Sequence, residues 1–206
     1  LVLRDNYLQA QAITLAESEA AAHIESHARF MHTLGRAGRL DRDLEYLPDD
    51  ETIAERQTRG KGLARPEFAI LLAYSKISLF EDLLESDVPD DPYLEVDLIR
   101  YFPEPMRAPY VEAIKKHRLR RQIIANHVSN NLVNRAGITF VSDIAEETGC
   151  SVANATRSYL VAREAFGMRP LWKAVEALDN QVATEVQSQM NLDLMELHRL
   201  GTLWFV

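Results

Sequence analysis

Between Leu63 and Ser86 the chain is so densely apolar that any fold must be built around this stretch. Phe68, Leu71, Leu72, Ser75 and Leu79 recur at steps of three and four, which places them on one face of a helix. Ile70, Ala73, Tyr74, Ile77, Phe80 and Leu84 fill much of the opposite side. A helix that is hydrophobic nearly all round belongs in the middle of a domain, with neighbours on several flanks. Pro66 suits its first turn, where a missing N–H costs nothing, and Glu67 suits the positive end of the helix dipole. Asp87, Val88 and Pro89, then Asp91 and Pro92, stop it. Lys76, Glu81 and Asp82 interrupt the apolar run, so it is a core helix and not a membrane span.

Hydrophobic residues make up 47% of the 206-residue chain and charged residues 26%, ordinary for a globular protein. With 31 acidic against 23 basic side chains the net charge is −8, which disfavours polyanionic partners. A single cysteine, Cys150, excludes an internal disulfide and agrees with a reducing, cytoplasmic setting. Neither a signal peptide nor a membrane span is evident. The chain starts at Leu1 and enters helical sequence almost at once, so we read it as part of a longer polypeptide.

Asp5 to Leu34 reads as one long first helix rich in small residues, ended by Gly35 and Gly38, and lying against the core helix. Leu40, Leu44, Tyr46 and Leu47 anchor the connector that follows. Asp49 caps a short helix to about Arg59, and Gly60-Lys61-Gly62 breaks the chain before the core helix. Beyond the turn at Pro89 to Pro92, helices are expected over Tyr93–Tyr101, Met106–Lys116 and Arg118–Arg135. The last of these buries Leu119, Ile123, Ile124, Val128, Leu132 and Val133, and Gly137 ends it. Ser142 caps a helix to Thr148, Gly149 turns the chain, and Ser151 caps a helix to about Phe166. Helices over Leu171–Leu178 and Asn180–Leu200 complete the series, with Asp179 and Asn180 marking the break between them. The expected class is all-α: an irregular multi-helix bundle around a central apolar helix at about 65–86. Residues 1–206 form one helical domain, or two closely packed halves divided near residues 87–92.

The eight glycines supply neither G-x-G-x-x-G after a strand nor G-x-x-x-x-G-K-[ST]. His23 and His27 stand one turn apart, with Glu19 a turn earlier, but H-E-x-x-H is absent because Ile24 follows His23. A solvated helix face is the simpler reading. Lys115, Lys116, His117, Arg118, Arg120 and Arg121 form the one basic run; a patch for phosphate or an acidic partner is the sharper reading, and a helix boundary with solvated charges, some paired to nearby carboxylates, is the favoured one. Cys150 is a small hydrophobe at a turn, and Trp172 and Trp204 are packing or interface anchors. No catalytic, cofactor-binding or metal-ligating residue is assigned.

Two readings of other kinds deserve statement. Residues 142–166 have the outline of a helix-turn-helix, whose second helix would offer Asn154, Thr156, Arg157 and Ser158 to base edges. Against this, Arg157, Arg163 and Arg169 are outnumbered by Asp143, Glu146, Glu147 and Glu164, whereas a groove binder concentrates positive charge. A free-standing helical enzyme would need titratable groups such as His117, His127 and Glu146 to meet in a cleft.

The order of phrases from end to end resembles the C-terminal helical region of the large bacterial NAD-specific glutamate dehydrogenases. The stretches that carry it are VLRDNYLQAQA, GRLDRDLEYLPDDE, GLARPEFAILLAYSKISLFEDLLESDVPDDP, YFPEPMR, HRLRRQIIANHVSNNLVNRAGITFV and LWKAVEALDN. The chain departs from the family at Ala64, where a Thr able to cap the core helix is expected. The resemblance implies a parent enzyme that oxidises L-glutamate to 2-oxoglutarate and ammonia with NAD as hydride acceptor. It places the glutamate and NAD sites in an upstream catalytic domain, so no cofactor is expected on this region. It further implies a supporting role: contact with that catalytic domain, subunit contacts in a homo-oligomer, or relay of regulation. The acidic balance and the lack of a membrane-length apolar run argue separately against nucleic acid and membrane as partners.

Overall fold

A computed structural model describes residues 8–15 and 20–206. Every regular element among them is helical, so the all-α class holds. Residues 8–15 (α1) lead through a turn at 20–23 into α2 (Ile24–Arg36), followed by α3 (Asp50–Thr58) and the central α4 (Arg65–Leu84). Two 3-10 turns, Val88–Asp90 and Pro92–Leu94, connect α4 to α5 (Glu95–Tyr101). Then come α6 (Glu104–Arg107), α7 (Val111–Lys115), α8 (Arg120–Ala136), α9 (Phe140–Thr148), α10 (Val152–Ala165), α11 (Met168–Glu176) and α12 (Thr184–Phe205).

The expected inward face of α4 is the observed one: Phe68, Leu71, Leu72, Ser75 and Leu79 are all buried, joined by Ser78 and Leu83. Burying a side chain the size of Leu or Phe contributes about 2 kcal/mol, so this one helix anchors much of the core. The helix is not covered all round, because Ala73 and Ile77 face solvent. Pro66 occupies its first turn. Ala64 stands at the N-cap without a side-chain acceptor, yet Glu67 reaches back to accept from the Ala64 N–H at 2.6 Å, completing half of a capping box. Arg56 holds that carboxylate with two hydrogen bonds, at 2.5 and 2.9 Å, so α3 steadies the start of α4.

α4 packs most extensively on α8, and α10 on α12. The buried apolar cluster continues from α4 across the 3-10 turns, through Val88 and Leu94, into Ile124, Val128 and Leu132 of α8, and on to Ala155 and Tyr159 of α10. Among the polar links, Ser75 donates to the Ile138 carbonyl at 2.7 Å, tying α4 to the α8–α9 connection.

Several expectations need correction. The first helix is not continuous: residues 20–23 form a turn, and residues 5–7 and 16–19 of that expectation lie outside the described residues. Tertiary packing explains the break, because the Ala20 backbone is seated directly on Gly62. Gly35 lies within α2, and the chain leaves the helix after Arg36. In the connector Leu40 and Leu47 are buried, but Leu44 and Tyr46 are exposed. Leu119 likewise is exposed at the N-cap of α8. The helix expected over Met106–Lys116 is two short ones, since Pro109 lacks the N–H needed to carry α6 onward. α9 starts at Phe140, and Ser142 sits inside its first turn, donating to the Thr139 carbonyl. α12 begins at Thr184 and runs past Leu200 to Phe205. The caps Asp49 and Ser151 act as expected, accepting from the N–H of Thr52 and Asn154, and Gly149 closes α9 in the left-handed region.

Candidate functional site

The helix-turn-helix outline forms, with α9 and α10 joined at Gly149 to Ser151, but the second helix faces inward. Thr156 is fully buried and donates to the Val152 carbonyl at 2.8 Å. Ser158 is buried and donates to the Phe205 carbonyl of α12 at 3.1 Å. Arg157 is paired to Asp87 and also reaches Asn154. α10 presses against both α12 and α4, so Thr156 and Ser158 serve to hold the bundle together, while Asn154 stays exposed.

Among the described residues, two members of the basic run form ion pairs. Lys115 meets Glu95 at 3.3 Å. Arg121 pairs with Asp90 and donates to the carbonyls of Leu84 and Ser86, closing the end of α4. His117, His127 and Glu146 have separate surroundings: His117 packs against Phe102, His127 meets Asn131 one turn on, and Glu146 pairs with Arg29. Cys150 is half-buried at its turn. Trp172 is packed beneath the Arg135 guanidinium, 4.8 Å from its ring centroid, whereas Trp204 is 83% exposed.

The solvated helix face expected for His23 and His27 holds only for His23, although the two rings stand edge-on at 6.4 Å. His23 is exposed, while His27 is buried with its ring edge-on to Phe68 at 5.2 Å. Burial, aided by the neighbouring His23, pushes the His27 imidazole down to about 4, so it is neutral near pH 7. Among the described residues, no group of three or more His, Cys, Asp or Glu side chains is placed to hold a metal ion.

His27 lines a cavity of about 440 Å³. Ala12 and Leu15 of α1 and Leu72 of α4 contribute to its walls, with Val133 and Asn134 near the end of α8. Ile138, Phe140 and Ile144 close one side; Asp193, Glu196 and Arg199 of α12 line another. Asp143 also lines it, and burial raises its carboxyl above the ordinary range despite the Thr139 hydroxyl at 2.6 Å and Arg29 at 3.9 Å. The side-chain oxygen of Asn134 and Nδ1 of His27 are buried without a hydrogen-bond partner among the described residues. Sequence spacing could not reveal this assembly, because its members come from six helices and the α8–α9 connection.

A second polar cluster lies at α5, α10 and α11. Asp97 accepts from Arg163 at 3.1 Å and Arg169 at 2.7 Å, and Glu164 accepts from both arginines. Every member is matched by an opposite charge, which marks a structural tie.

Neither cluster contains a nucleotide-binding turn or a reactive triad. What the chain resembles is therefore informative. It is 43% identical to the NAD-specific glutamate dehydrogenases of Halomonas elongata and Pseudomonas aeruginosa, and 33% identical to that of Mycobacterium tuberculosis. Each alignment takes in all 206 residues of this chain but only 13% of the relative's length. Residues 60–206, from the loop before α4 to the end of α12, match the family described as glutamate dehydrogenase, C-terminal. The resemblance read from the sequence phrases is thus confirmed, and the chain belongs to the glutamate dehydrogenase C-terminal family.

Proposed function

We propose that the chain is a non-catalytic helical region of a large NAD-dependent glutamate dehydrogenase, folded as one domain and working in the cytoplasm. The parent enzyme would convert L-glutamate and NAD to 2-oxoglutarate, ammonia and NADH. The observation that carries this reading is the match of residues 60–206 to the C-terminal family within relatives of which this chain spans 13%. Two further facts support it. The described residues hold no strand on which a dinucleotide fold could be built, and no glycine-rich phosphate turn occurs in the sequence. NAD and glutamate would then bind elsewhere in the longer polypeptide. The role of this region is to support the catalytic domain and to make subunit contacts in a homo-oligomer, where exposed apolar side chains such as Ile77 and Trp204 would find partners.

Glutamate-dependent NADH formation tests the proposal. We expect none from this chain alone, and activity from a polypeptide that carries it together with the catalytic region. Turnover by the chain alone would overturn the non-catalytic reading.

A further inference from the structure

We propose that the cavity between α1, α2, α4, α8, α9 and α12 is a binding site for a small organic cation, with a primary ammonium head and an apolar body. At about 440 Å³ its volume falls within the range of small-molecule sites. Its apolar wall, with Leu72, Val133, Ile138, Phe140 and Ile144, suits a hydrocarbon body.

Among the described residues, the buried polar lining leaves acceptors unmatched. Asn134 presents a buried side-chain oxygen with no partner. His27, only 5% exposed, has an Nδ1 with no partner, and this nitrogen accepts a hydrogen bond when the proton sits on Nε2. A buried polar atom left unmatched costs free energy that a ligand donor would restore.

The charges point the same way. Among the described lining residues, Asp143, Asp193 and Glu196 stand against the guanidinium of Arg199 and the imidazole of His23, and Arg29 approaches Asp143 from outside at 3.9 Å. The Arg199 guanidinium is drawn to Glu147 at 2.7 Å, closer than its 3.7 Å approach to Glu196. The donors already present, the Thr139 hydroxyl and the Gln189 amide, are used on Asp143 and Asp193. His27 is neutral near pH 7 and supplies no compensating charge. An ammonium group brings three donors, no acceptor and one positive charge. A bare metal ion is a poorer match, because among the described residues the carboxylates do not converge into a ligand set.

The test is isothermal titration of the purified protein with n-hexylammonium chloride, beside sodium hexanoate at equal ionic strength. We expect saturable one-to-one binding of hexylammonium and none of hexanoate. The double variant Asp193→Asn/Glu196→Gln removes two charges at the open rim of the cavity, where both side chains are exposed, and should retain its circular dichroism spectrum. It should weaken hexylammonium about tenfold or more, the effect of losing a charged hydrogen bond. Asn134→Leu should weaken it by a comparable factor; if that buried change unfolds the protein, the double variant decides. Failure of hexylammonium to saturate, equal binding of hexanoate, or undiminished binding by the double variant would overturn the proposal. The assay reads binding and not dehydrogenation, so a negative result leaves the family assignment standing.

Discussion

Asp97 and Arg163 face each other at 3.1 Å with only 2% and 4% of their side chains exposed. Burial alone would push the Asp97 carboxyl up, but Arg163 and Arg169 outweigh it and hold it below the ordinary carboxylate range. Asp97→Ala strands Arg163 in the interior with Glu164 as its remaining partner, and should cost about 3–5 kcal/mol in urea unfolding. Replacing both partners with apolar residues, Asp97→Leu with Arg163→Met, should recover most of that loss. Because the folded carboxyl is depressed, its contribution is complete above the unfolded value near 4 and is lost as pH falls through the folded value.

The buried histidines act at higher pH. Desolvation lowers His27 and His198 to about 4, and both titrate near 6.5 once unfolded. Between these values the unfolded chain binds more protons, so stability should rise with pH from about 4 to about 6.5 and then level off. Each histidine would contribute at most ~3 kcal/mol across that window. Urea midpoints taken at half-unit steps of pH, for the native chain and for His198→Gln, should show the slope roughly halved in the variant.

A third outcome concerns Gly62. A Cβ built there would fall 2.2 Å from the carbonyl carbon of Ala20 and 2.4 Å from its Cβ. Backbone cannot swing aside as a flexible side chain can, so Gly62→Ala should cost about 1–3 kcal/mol, as overpacking does. Gly38→Ala serves as the comparison, because open space surrounds that position and only its positive φ resists the change. Thermal unfolding of the two variants separates a steric cost from a conformational one.

The tryptophans provide an optical readout. Trp172 lies buried against Arg135 and His198, while Trp204 is largely exposed near the end of α12. Iodide should quench Trp204 selectively, and Trp204→Phe should leave a blue-shifted, poorly quenched emission with the fold intact. Burial of Trp204 in an assembly with the longer polypeptide would abolish that selective quenching.

Much of the helical framework was legible because its signals are local. The steps from Phe68 to Leu79 announced the inner face of α4, and Asp49, Ser151 and Gly149 announced ends that the structure shows. The illegible parts depend on distant residues meeting. The turn at 20–23 interrupts alanines that favour helix, for it is set by contact with Gly62 and not by propensity. Gly62 itself read as a conformational break, yet what it provides is space; Gly60 has the positive φ. The cavity joins Ala12, His27, Asn134, Asp143 and Asp193, whose sequence neighbours give no hint that they converge. In the helix-turn-helix outline the local pattern was right, and only the packing of Thr156 and Ser158 revealed which way it faces.

The pairing of α4 with α8, and of α10 with α12, has a kinetic consequence. Residues 85–119 separate the first pair and 166–183 the second, so the largest helix contacts do not lie between helices joined by tight turns. Each pairing must close a long loop, at an entropic cost, before its apolar contacts return any stability. Folding should therefore be slower than in an up-and-down bundle of equal size. During translation α4 remains without its principal cover until α8 has been made, which leaves its Phe68-to-Leu83 face open to a chaperone in that interval.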